Sequence, residues 1–258
     1  MGLSKLAKNR KEPRDVATLQ TVVSDAINFD EFQKLVGVTR QDLCRETLAA
    51  HRKVIRIKGD ERAIRNLERI FNAALRISNA SGFQAMSMRK LSKEAGLSMG
   101  ALYAYFSSKD ELLAMLQDQG RGIVSRILSD RIQAAADPLS KLRIAVRTHL
   151  YLTESMHAWF FFSYMEAKNL TGSEREKAIR SELQTEAMFE EILEQGREKE
   201  IFAPRDCRLT ASVIKALVQD WYLKRWKYRQ RKISVDQYAD HILEMVESFV
   251  VGRDERLN

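Results

Sequence analysis

Cysteine is nearly missing: Cys44 and Cys207 are the two in 258 residues. That excludes a disulfide framework, fits a reducing compartment and leaves packing as their expected role. Three prolines (Pro13, Pro138, Pro204) and eleven glycines argue against a chain of many tight turns. No apolar run approaches the ~20 residues that a membrane span needs. The N-terminus carries charges every few residues, which leaves no room for a signal h-region. Catalytic frameworks are lacking as well. There is no GxSxG, no P-loop and no paired metal motif, and neither cysteine has an evident histidine partner. The expectation is a soluble, cytoplasmic protein that is not an enzyme, needs no cofactor or metal and has no membrane partner.

What is present is helix. Hydrophobic residues make up 45% of the chain, enough for a packed core. They recur at spacings of three and four and seldom alternate, so the fold class is all-α. The formal net charge of +8 favours polyanionic partners. Residues 1–20 are polar and basic, with Lys5, Lys8, Arg10, Lys11 and Arg14 close together. They read as a flexible arm or as an arm for the DNA minor groove. Phe29, Phe32, Leu35 and Val36 make a short apolar face. Thr39 and Asp42 have the spacing of a capping box for a helix whose Leu43, Thr47, Leu48, His51, Val54 and Ile55 share one side. Gly59-Asp60 should end that helix and cap the next, about Glu61 to Ala80. Later helices are expected at 138–154, 156–169, 173–200, 207–231 and 235–251, after a long amphipathic stretch from Ser108 that Gly120 and Gly122 could bend.

The densest signal lies between Gly82 and Leu112. Ser87 stands before MRKLSKEA as an N-cap, with Leu91 and Ala95 on one face. Gly96 suits a sharp turn, where a positive φ is cheap for glycine. Ser98 caps a second helix, SMGALYAYF, whose Leu102 and Phe106 face the core. Met99, Gly100, Ala101 and Tyr103 then face outward. Gly100 and Ala101 are small enough to let the backbone approach base edges, and the hydroxyls of Tyr103 and Tyr105 suit phosphates or bases. Lys109 opposes the dipole of the helix it begins, which a phosphate bound there would explain.

This stretch resembles the DNA-binding domain of the TetR family of transcriptional regulators. The likeness rests on Ala73-Ala74, Gly82-Phe83, Ser87-x-Arg89-x-Leu91, Ala95-Gly96-Leu97-Ser98, Gly100-x-Leu102-Tyr103-x-Tyr105-Phe106 and Ser108-Lys109-x-x-Leu112. It spans about one sixth of the chain. Ser78 and Ser92 depart from the family pattern and are expected to loosen the packing slightly. Nearly sixty residues precede the family's usual first helix. The resemblance implies an Ω-shaped, all-helical homodimer on a palindromic operator. Ser87, Arg89, Tyr105 and Lys109 become phosphate contacts, Met99, Gly100, Ala101 and Tyr103 become the groove-facing set, and the cap Ser98 counts among the DNA-binding residues. Charge agrees: eight bases against four acids leave +4 in residues 61–110.

The resulting division is a 1–58 extension, a 59–112 DNA-binding domain and a 113–258 ligand-binding and dimerisation domain. In the last, THLYLTESMHAWFFFSYMEAKNL mixes aromatic walls with single polar groups. By spacing alone that describes a core as well as a small-molecule pocket. The resemblance implies an effector site here, with His149, Thr153, His157, Phe161, Tyr164 and Met165 as candidates and an apolar, amphipathic or acyl-CoA-like effector. His149, Glu154, His157 and Glu166 lack the tight spacing of a metal site. Residues 207–251 resemble the dimerising helices, with Val213, Leu217, Trp221 and Phe249 among the apolar load. Residues 224–232, basic and aromatic, read as a solvated helix end. The alternative function is a ligand-independent DNA-binding regulator.

Overall fold

The computed structural model describes residues 26–36 and 40–251; the basic arm and the Thr39 cap fall outside them. Twelve α-helices follow in order among the described residues. The extension supplies α1 (Phe29–Val36) and α2 (Arg40–Ala50). Next come α3 (Asp60–Ser81), α4 (Met88–Ala95) and α5 (Met99–Tyr103). Then α6 (Lys109–Gln133), α7 (Pro138–Ser155) and α8 (His157–Glu166) lead to α9 (Gly172–Glu198). The last three are α10 (Cys207–Leu223), α11 (Arg225–Gln230) and α12 (Val235–Val250).

Several starts are set by side-chain caps. Asp137 accepts from Ser140 N–H ahead of Pro138, and Asp206 accepts from Leu209 N–H. Ser234 and Gln237 form a reciprocal capping box. Asp60, expected as a cap, is instead the first residue of α3, with Gly59 before it at φ 88°. The helix expected through residue 58 stops at Ala50, and the chain then carries Ile55 into the core. The expected 207–231 helix breaks at Lys224, between α10 and α11.

The long helix α6 does not break at its glycines. It runs unbroken from Lys109 to Gln133. Gly120 is there for space, since a Cβ on it would lie 1.9 Å from Cε2 of Trp159. The two apolar cores divide along this helix. Leu112, Leu113, Met115 and Leu116 belong to the core of the DNA-binding half, while Ile123, Val124, Ile127 and Leu128 belong to the second.

The extension is split between the same two cores. Phe32 of α1 packs in the second core, where its ring and that of Phe29 meet Tyr151. Asp236 accepts from Phe29 N–H at 2.9 Å and from the Tyr151 hydroxyl at 2.6 Å. Cys44 and Leu48 of α2 pack in the first core. The extension is therefore a strap that joins both halves.

Candidate nucleic-acid interface and effector cavity

Three serines build the helix-turn-helix. Ser87 Oγ accepts from Lys90 N–H, Ser98 Oγ from Ala101 N–H and Ser108 Oγ from Glu111 N–H, at 3.1, 3.2 and 3.1 Å. Gly96 between α4 and α5 has φ 61°, the left-handed conformation that favours glycine. Its carbonyl accepts from Arg69 Nη2 at 2.8 Å, which clamps the turn to α3. Arg76 of α3 also reaches Glu94 of α4 at 3.3 Å. Ser92, expected to loosen this unit, donates to the Leu97 carbonyl across the turn at 2.5 Å. Ser78 is the true departure, because its buried hydroxyl has no hydrogen-bond partner among the described residues.

Leu91, Leu102 and Phe106 point into the core. Ser87, Arg89, Ser98, Met99, Gly100 and Tyr103 are exposed on the outside, Tyr103 by 49%, and Ala101 is half-buried beside them. Two expected phosphate contacts stand differently. Tyr105 is fully buried, since α5 ends at Tyr103 and the following turn bonds Tyr105 N–H to the Leu102 carbonyl. Burial pushes its phenol pKa up, and the hydroxyl lies near Asn66 without reaching hydrogen-bond geometry. Lys109 turns back from the surface. Its ammonium donates to the Gln84 carbonyl at 2.8 Å and the Met86 carbonyl at 3.3 Å, over the Phe83 ring. That tie accounts for a cation at a helix start without any phosphate. One contact lay beyond sequence reasoning: Arg56 N–H bonds the Ala104 carbonyl at 2.8 Å, joining the extension to the end of the recognition helix.

The expected effector residues do not come together around a cavity. His149 and Thr153 are buried in packed core. Thr153 donates to the Leu150 carbonyl. His149 Nε2 lies 3.5 Å from the buried Lys215 ammonium, so burial and then Lys215 drive its pKa well down. Phe161 is half-buried and stacks on His157, while Tyr164 and Met165 are exposed. Of the six, His157 lines the large cleft described below. Its Nε2 is 3.1 Å from the Tyr222 carbonyl, and its pKa is lowered by burial and then by Arg225. Glu154 pairs with Arg225 and accepts from Trp221 Nε1, whereas Glu166 accepts from Phe83 N–H. The four residues weighed for a metal thus serve separate partners.

A cleft of about 800 Å³ instead opens where the strap crosses the junction of the two halves. Phe32 and Val36 of α1, Leu43 of α2, Leu75 of α3, Ile123 of α6 and Trp159 of α8 supply apolar wall. The apolar face of the extension was visible in the sequence; that it covers this junction was not.

Away from the cleft lining, α10 and α12 expose Leu209, Val213, Met245 and Phe249. Trp221 is not among them. It is buried in a three-ring cluster with Tyr228 and Tyr238. The basic run after it is not simply solvated, for Lys224 and Lys227 both pair with Asp220.

A clamped helix-turn-helix, joined through one long helix to a second helical core, defines a helix-turn-helix transcriptional regulator. The family profile described as bacterial regulatory proteins of the tetR family matches residues 70–116. One for the tetracyclin repressor-like C-terminal domain matches residues 135–250. The chain belongs to the TetR family. The HTH-type transcriptional regulator HbdR of Aromatoleum sp. (strain CIB) is 21% identical over 184 residues, covering 71% of this chain and 80% of that protein. The crystal structure of a tetR-family regulatory protein from Rhodococcus RHA1 superposes with a TM-score of 0.66 at 22% identity, over 73% of this chain and 98% of that one. The crystal structure of AibR in complex with isovaleryl coenzyme A and operator DNA gives 0.63 at 23%, over 70% and 97%. Structural likeness at these identities speaks for the fold. Among the described residues no helix is long and apolar enough to cross a membrane.

Proposed function

We propose that this TetR-family protein is a ligand-responsive repressor. It binds a palindromic operator as a homodimer and leaves it when a small apolar or amphipathic effector binds. The exposed row Arg89, Met99, Gly100 and Tyr103, held by three serine caps and the Arg69 clamp, carries the DNA reading. Arg89 and Ser87 contact phosphates, Tyr103 faces the groove beside Met99, and the small Gly100 and Ala101 let the helix approach base edges. Leu209, Val213, Met245 and Phe249 form the interface between protomers, an apolar surface of the kind homodimers bury. Dimerisation sets two recognition helices about 34–36 Å apart, one turn of the duplex.

The filled core around His149 and Thr153 favours the ligand-independent reading at that place. The cleft under the strap favours an effector, and the AibR complex adds acyl-CoA compounds to the candidates. The test is selection from a random duplex pool, followed by binding at several salt concentrations. A two-fold-symmetric sequence should emerge. Arg89→Ala should weaken binding and lower the salt slope of log K by about 0.9, one phosphate contact. A pool without sequence preference, or an unchanged slope, overturns the reading of this face.

A further inference from the structure

The strap does more than lengthen the chain, because it walls a cleft where the two halves of the molecule meet. Cleft residues make three ties there. Asn79 Nδ2 of α3 donates to the Ala158 carbonyl of α8 at 2.9 Å. Arg40 Nη1 of α2 donates to Asn72 Oδ1 of α3 at 2.8 Å. Gln119 Nε2 of α6 donates to Thr47 Oγ1 of α2 at 2.9 Å. The volume of about 800 Å³ is that of a site for a molecule of drug size.

The charges on the lining largely cancel. Arg225 pairs with Glu154, and Arg76 pairs with Glu94. That leaves Arg40 and Glu68, one cation and one anion on adjacent helices, with no ion-pair partner for either among the described residues. Both act on the buried Cys44 thiol, whose pKa is pushed up to about 12 by burial and then by Glu68. The lining carries three arginines against two glutamates, an excess of one cation that Glu94 beyond the lining offsets, which is too little for a polyanionic head such as that of coenzyme A. An apolar molecule with a compact, uncharged polar group, able to accept from Arg40 and donate to Glu68, matches both wall and rim.

We propose that this cleft, closed on one side by the N-terminal strap, binds an uncharged amphipathic molecule and is the effector site of the protein. This rests on the ligand-responsive reading above. The ligand touches α3 directly at Leu75, Arg76 and Asn79. The same helix holds the helix-turn-helix through Arg69 and Arg76. A molecule that alters the seating of α3 therefore alters the pose of the recognition helix without any relay through the rest of the second core.

The experiment uses the full chain and Nile red, a neutral apolar fluorophore, alongside dodecanoate and palmitoyl-CoA. Two variants fill the cleft: Leu75→Trp, and Ala158→Trp at an exposed position that is tolerated if the first fails to fold. Nile red should bind, and each folded variant should weaken it by at least about tenfold (1.4 kcal/mol), with operator affinity retained in Ala158→Trp, which leaves the residues of α3 unchanged. Palmitoyl-CoA should bind at least about tenfold more weakly than Nile red. Absence of Nile red binding, or unchanged binding in folded Ala158→Trp, overturns the site. Tighter binding of palmitoyl-CoA overturns the ligand class. If any probe releases operator equally from Ala158→Trp and the unmodified chain, the regulator reading survives and the location falls.

Discussion

Gly120 and Gly122, neighbours but one on α6, should respond to alanine with opposite signs. In a helix interior, Gly→Ala stabilises by about 0.5–1 kcal/mol, mostly by restricting the unfolded chain. Gly122 is exposed, and a methyl group there would have nothing within 4 Å, so it should show that gain undiluted. At Gly120 the methyl would meet three atoms of the Trp159 ring, at 1.9, 2.2 and 2.4 Å. Carbon atoms rest about 3.5–4.0 Å apart, so the ring must retreat by well over an ångström. It cannot do so freely. Trp159 is buried, and its Nε1 donates to the Leu116 carbonyl at 2.7 Å. Overpacking costs about 1–3 kcal/mol, and stranding that buried donor adds about 1–3 kcal/mol. Even after the helix gain is subtracted, Gly120→Ala should lose about 1–5 kcal/mol. For a chain of this size each kcal/mol moves Tm by about 2–4 °C. Thermal unfolding followed by circular dichroism, at one fixed protein concentration because association shifts Tm, should therefore place Gly122→Ala above the unmodified protein and Gly120→Ala clearly below it. Equal shifts of the same sign would refute the packing of α8 against α6, and with it the Trp159 wall of the cleft.

Three further outcomes are expected. Phe249→Glu, at a side chain 62% exposed, should give a helical monomer by light scattering; a dimer that persists removes α12 from the interface, whereas Trp221→Glu should unfold the chain because Trp221 is buried. Burial pushes the Asp220 carboxyl up, but hydrogen bonds from Lys224, Lys227 and Tyr228 outweigh it and hold the pKa at about 2, below the ordinary 3.8. Its stabilisation is thus complete above pH 3.8 and is lost as pH falls through 2, so the urea midpoints of Asp220→Asn and the unmodified protein should differ at pH 6 and converge in acid; a gap unchanged at the lowest pH would count against these bonds. Lys109→Ala should cost about 1–2 kcal/mol through the two carbonyls it leaves, with the operator salt slope unaltered; unchanged stability with a slope lower by about 0.9 would return Lys109 to the phosphate.

The helix-turn-helix was legible because its chemistry is local. Each serine caps a helix beginning at the next residue, and the Gly96 turn needs nothing from afar beyond the Arg69 clamp. Tyr105 misled because helical spacing was carried past the end of α5; the turn at Ala104 swings it inward with Phe106. In α10 both sides are apolar. Ala211, Ile214, Val218 and Trp221 are buried while Leu209 and Val213 are exposed, and periodicity alone does not say which side meets its own core. His149 had the spacing of a pocket residue, yet its fate was set by Lys215, sixty-six residues away.

The extension resolves a mechanical question that the two-core layout raises. A repressor that answers an effector must let its DNA-binding half move against its sensor half. Here α1 is packed in one core and α2 in the other. Relative motion must therefore stretch the strap, slide α2 over α3, or both. The polar ties across the junction are few, and one such hydrogen bond is worth about 0.5–1.5 kcal/mol. Allosteric coupling needs about 1–3 kcal/mol between sites. A molecule seated among Arg40, Asn72, Asn79 and Gln119 needs to change just one or two of these bonds to reach that range. The Arg56–Ala104 bond then passes any shift of the strap to the end of α5. On this account a chain with the strap's ties removed, Arg40→Ala with Gln119→Ala, should still fold and bind operator, because both cores keep their apolar contacts. What it should lose is the difference in operator affinity between effector-bound and effector-free protein. Retained release of full amplitude in that double variant would place the coupling in α6 alone.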